Sequence, residues 1–299
     1  MNILVTGGSG QVGRELKDIM PNADYVSSKD VNLLSQDEVY SCLNSKSYDI
    51  IVHLAAKVGG IIDNIENPND YLEDNLIMNS NILKAARLHS VPRFIGVLST
   101  CIYPNTVENY PIQEADLHNG PPTPTNLSYG IAKRAMAVHI DSINQQYGFR
   151  YCYVTPCNLY GKYDKFCSRA HFVAHLIQKI HNAKIAGKNF ITLFGSGKPL
   201  RQFMNAADFA RVLCEMIEKN INSSFNVASP KNISINEIAE IAIKALDCEY
   251  LNIKYDSSKP DGQFRKDGCT KKFSTLFPDF KFTGLEDGIR DVYKKVFNS

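Results

Sequence analysis

Tyr129 and Lys133, in the run Tyr129-Gly130-Ile131-Ala132-Lys133, lie in a stretch of helical periodicity, so they share one face one turn apart. That pairing has a chemical use. A lysine cation beside a phenol favours the phenolate and lowers the phenol from its reference pKa of about 10. The phenol can then pass a proton to a carbonyl oxygen as hydride reaches the carbon. Taken alone, the spacing has an ordinary explanation in an aromatic ring packed on a lysine stem. Ser99 changes the balance, because it ends an apolar run read as a sheet strand, at the carboxyl end where ligands of open α/β sheets gather. Ser99, Tyr129 and Lys133 together make a hydroxyl donor, a proton donor and a charge that tunes it.

A second constellation sits at the start of the chain. Thr6-Gly7-Gly8-Ser9-Gly10-Gln11-Val12-Gly13 follows a strand-like run and opens a helix. Gly7 permits a tight turn, Gly10 lets the backbone approach a pyrophosphate, and Gly13 lets helix and strand pack closely, while the helix N-terminus offers free N–H groups to the anion. A glycine triplet alone is weak, but one placed between strand and helix points to a dinucleotide. The next strand ends in Val26-Ser27-Ser28-Lys29-Asp30. Two hydroxyls and an ammonium precede the acid, which suits a ribose 2′-phosphate and leans toward NADP; Asp30 on a free 2′-OH, as in NAD enzymes, is the alternative.

The elements that must position these residues are legible. Runs 2–6, 24–26, 49–54, 93–99 and 150–155 read as strands, with helices at 11–20, 68–89 and 128–147. Ile50-Ile51-Val52-His53-Leu54 is almost continuously apolar, as in a parallel sheet covered on both faces. The expectation is an α/β fold with a doubly wound parallel sheet and a smaller mixed α/β substrate lobe. Turn signals at Tyr160-Gly161-Lys162, Gly195-Ser196-Gly197 and Ser229-Pro230 mark that lobe. A helix at 203–219 and a strand at 225–228 are expected to return to the main sheet, which interleaves the lobes as 1–158 with 203–229, and 159–202 with 230–299.

Composition excludes other classes. The 299 residues are 44% hydrophobic and 21% charged with a formal net charge of +2, so no general attraction to nucleic acid is expected. Met1 leads straight into a strand-like run, and no apolar stretch reaches membrane-spanning length. A cytoplasmic protein is expected. The eight cysteines are scattered without a Cys-x-x-Cys pair or histidines at zinc spacing, so reduced thiols and no metal are expected.

The glycine turn with Ser99, Tyr129 and Lys133 resembles the extended short-chain dehydrogenases/reductases, a Rossmann-fold group, over nearly the whole chain. Narrower segments are similar to the GDP-L-fucose synthase (GDP-4-keto-6-deoxy-D-mannose epimerase/reductase) family: His53 to Ile61, Leu98-Ser99-Thr100-Cys101-Ile102-Tyr103-Pro104, Pro124-Thr125-Asn126, Asn158-Leu159-Tyr160-Gly161 and Pro260-Asp261-Gly262. The resemblance implies NADPH-dependent reduction of the C4 ketone of a GDP-linked 4-keto-6-deoxy sugar, with epimerisation at C3 and C5. It implies Cys101 as base and His171 as acid, since a ketone at C4 acidifies the protons on both neighbouring carbons. The bland explanation of Cys101 is a small core residue, and His175 competes with His171. The resemblance further implies a cofactor set of Gly7, Ser9, Gly10, Gln11, Val12, Gly13, Lys29, Ala55, Ala56, Val97, Leu98, Tyr129, Lys133, Pro156, Asn158, Leu159 and His171. Its implied substrate set is Ser99, Cys101, Asn158, Lys179, Phe194, Arg201 and Asp261, and it implies a homodimer through helices 68–89 and 128–147.

Departures fall on the sugar side and on the 2′-phosphate. Ser9 stands where the family can carry arginine, Lys179 where arginine is expected, and Phe194 where tryptophan is common. An Arg-to-Lys change loses bidentate geometry. The alternative is therefore a C4-reductase for a related GDP-4-keto-heptose or 6-deoxy-heptose with little epimerisation. Thr100-Cys101 replaces the Asp-Glu pair of sugar-nucleotide dehydratases, which argues against water loss. A non-enzymatic dinucleotide sensor on the same fold is opposed by the intact Ser99, Tyr129 and Lys133 set.

Overall fold

A computed structural model describes residues 1–167, 170–259 and 261–297; Pro260 of the Pro-Asp-Gly motif lies outside the described residues. The chain begins with β1 (Ile3–Thr6), α1 (Gln11–Ile19), β2 (Asp24–Val26), α2 (Gln36–Asn44) and β3 (Ile50–His53). It continues through α3 (Ile61–Glu66), α4 (Pro68–Leu88), β4 (Arg93–Val97), α5 (Leu127–Tyr147) and β5 (Arg150–Pro156). Local chemistry marks the ends. Ser35 caps α2 by accepting from the Glu38 N–H, Pro68 opens α4, and Gly148 closes α5 in the left-handed region.

These strands form a parallel sheet in the order β2-β1-β3-β4-β5, extended at its edge by β10 (Phe225–Val227) beside β5. Both faces are buried, and so β3 is apolar along its length but for His53. Ile3, Val5, Val52 and Val154 pack on one face against Leu213 and Met216. Leu4, Ile51 and Phe94 pack on the other against Ile82, Leu83, Met136 and Ile140. Since β2 and β3 leave β1 on opposite sides, the glycine turn after β1 opens at the switch point of the sheet.

Beyond β5 come β6 (Asn158–Tyr160), α6 (Phe172–Ile185), β7 (Phe190–Phe194), β8 (Leu200–Arg201), β9 (Phe203–Asn205) and α7 (Ala206–Glu218). After β10 follow β11 (Ile233–Ser234), α8 (Ile235–Ala245), β12 (Asn252–Asp256), α9 (Lys271–Leu276) and α10 (Leu285–Phe297). Small sheets pair β6 with β9, β7 with β12 and β8 with β11. A third core gathers α6, α8 and α10 around Ile177, Ile180, Ile238, Ala242 and Ile289. The expected helix at 203–219 is corrected at its start: Phe203–Asn205 is a strand, and Asn205 then caps the helix through the Ala207 N–H. Helix α9 packs against the edge of the main sheet, where Phe273 and Phe277 meet Phe225 of β10.

Gly13 is hemmed in by backbone, for a Cβ there would collide with the carbonyl oxygen of Gly7 and approach the Gly8 Cα to 2.8 Å. Gly13→Ala is expected to destabilise the fold by about 1–3 kcal/mol through overpacking. The check is urea unfolding, where the midpoint should fall at unchanged slope; an unmoved midpoint would mean that the turn has slack.

Candidate active site

Strand β4 stops at Val97, and Ser99 beyond its end caps a short 3₁₀ turn over Thr100–Ile102 by accepting from the Cys101 N–H at 3.3 Å. The turn sets Cys101 two residues from Ser99. Helix α5 is pressed against it at Gly130, where a Cβ would stand 2.5 Å from the Cys101 carbonyl oxygen and 2.9 Å from Pro122. Only glycine allows that approach. Tyr129, beside Gly130, is thereby brought to the cavity wall shared with Ser99 and Cys101. One turn along α5, Lys133 is 2% exposed and donates to the Val97 carbonyl at 2.9 Å.

Burial dominates the electrostatics of this pair, and the expectation of a lysine-lowered phenol is corrected. Tyr129 is pushed well above the usual phenol range by burial, with Cys101 and Tyr71 adding to the rise. Burial likewise pushes Lys133 down to about 7. Helical spacing placed the two side chains on one face, but it carries no information about how dry that face is. A phenol that holds its proton is nonetheless the form needed to donate one.

Cys101 behaves differently. Burial pushes its thiol up, yet the Lys266 ammonium and hydrogen bonds from Ser99, Lys266 and Asn126 outweigh that and hold it below the ordinary thiol value. Asn126 Nδ2 lies 2.7 Å and Lys266 Nζ 3.2 Å from Sγ.

These side chains line a cleft of about 930 Å³ that runs from the glycine turn to the second lobe. Gly7, Ser9, Gly10, Gln11, Val12 and Gly13 form one end, with Ala55, Ala56, Val97, Leu98, Pro156, Asn158 and Leu159 along the floor. The residues present fit a dinucleotide. No side chain caps the N-terminus of α1, and Gly7 has φ +74° with no room for a Cβ beside the Ala55 backbone. Ser27 and Ser28 reach the wall, whereas Lys29 is exposed and does not line it. Asp30 is turned away and accepts from the Ser27 N–H and hydroxyl at 2.8 and 2.6 Å.

The other end is cationic and aromatic. Lys179 donates to the Thr192 carbonyl at 2.8 Å and lies 4.9 Å from the centre of the Phe194 ring, which is 52% exposed. Arg201 lines the cleft, while the Asp261 carboxylate is engaged by the Ser196 hydroxyl at 2.7 Å and by the Ser196 N–H. His171 precedes α6 as its N-cap, lines the cleft, and sets Nδ1 3.5 Å from Asp164 Oδ1. His175 also lines the cleft and is held below the usual histidine range by burial and then by Lys179. Sequence reasoning missed Lys266 and Asp164, and it gave Asn126 no role. Lys266 is 165 positions from Cys101, and no spacing rule reaches that far.

A family model described as NAD dependent epimerase/dehydratase matches residues 3–228. The chain belongs to that family. It is 32% identical to a GDP-L-fucose synthase of Dictyostelium discoideum over 97% of this chain and 93% of the relative. It is also similar to the crystal structure of a GDP-L-fucose synthetase from Naegleria fowleri bound to NADP, at 30% identity and a TM-score of 0.88 over 99% of this chain and 94% of the other. The resemblance to the GDP-L-fucose synthase family is borne out. A GDP-6-OMe-4-keto-L-xylo-heptose reductase from Campylobacter jejuni has a TM-score of 0.88 over 98% of this chain and 96% of the other, but at 21% identity it shares the fold alone.

Buried Lys133 gives a signed pH test. Unfolded, it holds its proton to about 10.5, and folded it sheds it at about 7. Between those values the unfolded chain binds more protons, so stability rises with pH across that window, and below it the folded state bears the whole penalty. Lys133→Met is therefore expected to be the more stable protein at acid pH. At about 1.4 kcal/mol per unit, and less the lost hydrogen bond, the gain is about 2–4 kcal/mol. Chemical denaturation across pH should show that margin shrinking as pH rises; a margin independent of pH would contradict the burial argument.

Proposed function

We propose that the protein reduces the C4 ketone of a GDP-linked 4-keto-6-deoxy sugar with NADPH after epimerising C3 and C5. The observation that carries this reading is the convergence of Ser99, Cys101 and Tyr129 on one wall of a cleft with the glycine turn at one end and Lys179, Phe194 and Arg201 at the other. Further support comes from the GDP-L-fucose synthase relatives and from the NADP bound to the Naegleria protein.

NADPH supplies the hydride at C4. Ser99 hydrogen-bonds the ketone oxygen and Tyr129 gives it a proton, which its burial has kept in place. The resulting phenolate is stabilised by the Lys133 ammonium one turn away. Cys101 takes the proton from the carbon next to the ketone, and His171, oriented through Nδ1 by Asp164, returns one to the opposite face. Lys179 and Arg201 meet the diphosphate and Phe194 packs on the nucleotide. Asp261 acts through Ser196, fastening the turn that carries Gly195 and Gly197.

We further propose a cytoplasmic homodimer with interleaved lobes as divided above, α9 excepted. No helix among the described residues is long and apolar enough to cross a membrane. Leu76 and Ile77 of α4 and Leu127, Ile131 and Val138 of α5 are exposed apolar groups on the two longest helices, which supports a contact between copies.

With GDP-4-keto-6-deoxy-mannose and NADPH in deuterated water, the product is expected to carry deuterium at C3 and C5, read by NMR. Reduction with undeuterated carbons would instead establish the C4-reductase alternative, and no NADPH oxidation with any GDP-4-keto sugar would defeat both.

A further inference from the structure

A neutral thiol is one weak donor and a poor acceptor, whereas a thiolate is acceptor only. Around Cys101 the surroundings are those of an acceptor. Lys266 Nζ and Asn126 Nδ2 both point donors at Sγ, at 3.2 and 2.7 Å. The ammonium is also free to serve. Among the described residues no carboxylate pairs with Lys266, although its neighbour Arg265 is clamped by Asp267 at 2.6 and 2.9 Å.

The segment around Lys266 is pinned so that this one cation faces the cleft. Gln263 donates to the Asn105 carbonyl at 2.8 Å, the Ile112 N–H donates to the Asp267 carbonyl at 2.8 Å, and the Gly268 N–H donates to Gln202 at 2.9 Å. Anchors on both sides of Lys266 fix its backbone beside the cleft. Among the described residues, Arg201 from β8 and Tyr129 from α5 also interact electrostatically with the thiol, one a cation and the other a phenol held protonated.

We propose that Lys266 is a positioning residue that holds Cys101 as a thiolate and so makes it the base of the epimerisation. This deepens the reading above and rests on it. The thiolate lone pair takes the proton from the carbon beside the ketone, forming S–H, while the C–H electron pair becomes the double bond of an enolate. A proton from His171 on the opposite face re-forms C–H and inverts the centre. Cys101 then returns its proton to solvent and His171 takes one up from solvent, leaving the thiolate, Lys266 and His171 as they began.

The test reads the thiol directly, in the full-length protein without substrate or NADPH. Alkylation of Cys101 by iodoacetamide is followed by peptide mass spectrometry from neutral to alkaline pH in wild type, Lys266→Met and Lys266→Arg. The Met variant should titrate at least about one unit higher and react about tenfold more slowly at neutral pH, with the Arg variant close to wild type. Deuterium exchange into a GDP-4-keto-6-deoxy sugar without NADPH should fall with it and recover at alkaline pH. An unchanged titration in Lys266→Met would overturn the proposal, as would equal losses in the Arg and Met variants. Should Lys266→Met fail to fold, Lys266→Gln gives the same comparison. Lysine-dependent alkylation with no exchange on any GDP sugar would support the thiolate and sink the substrate reading alone.

Discussion

The bond from the Lys133 side-chain nitrogen to the Val97 carbonyl ties α5 to the last residue of β4 in a place water does not reach. Two things follow from that constraint. Tyr129, one turn back on α5, is fixed relative to Ser99, just past the end of β4, and both are referred to the same sheet that carries the glycine turn. In addition, the charge state of the pair is governed by burial, and the phenol holds its proton.

Around that joint the site divides by chemistry. The α1 end is built from backbone, with glycines and free N–H groups suited to a pyrophosphate. The far end is built from side chains of the second lobe, with cations and an aromatic ring suited to a nucleotide diphosphate. Between them, one wall pairs a proton-holding phenol with a thiol that its neighbours make more acidic than an ordinary one. The two groups lie close, yet their surroundings push them apart in acidity, and that separation gives each one role. Gly130 makes the arrangement possible, because a side chain there would lift α5 off the Cys101 turn.

Much of this was legible in the residues. The parallel sheet, α1, α4 and α5 all follow from apolar periodicity, and their ends follow from Gly7, Pro68 and Gly148. Ser99, Tyr129 and Lys133 were readable because each lies at a strand end or on one helix face. What escaped depends on distance in the chain or on burial. The strand Phe203–Asn205 is too short to show alternation before the helix it precedes. Lys29 looked like a phosphate ligand from its neighbours, but Asp30 folds the turn back on Ser27 and leaves Lys29 outside the cleft. The direction of the Tyr129 shift reversed because sequence spacing does not report dryness. Lys266 reaches Cys101 only through a segment whose anchors at Asn105, Ile112 and Gln202 are scattered along the chain.

The central claim is that a phenol on α5 and a dinucleotide over the glycine turn act on one carbonyl group, the first at its oxygen and the second at its carbon. The most direct measurement is label transfer from NADPH deuterated at the reactive face of nicotinamide C4 to a GDP-4-keto-6-deoxy sugar, comparing wild type with Tyr129→Phe. The account predicts one deuterium at sugar C4 in wild type and a rate of transfer lower by about 10²–10⁴-fold in the variant. Full-rate transfer by Tyr129→Phe, or NADPH oxidation that leaves no deuterium at C4, would contradict it.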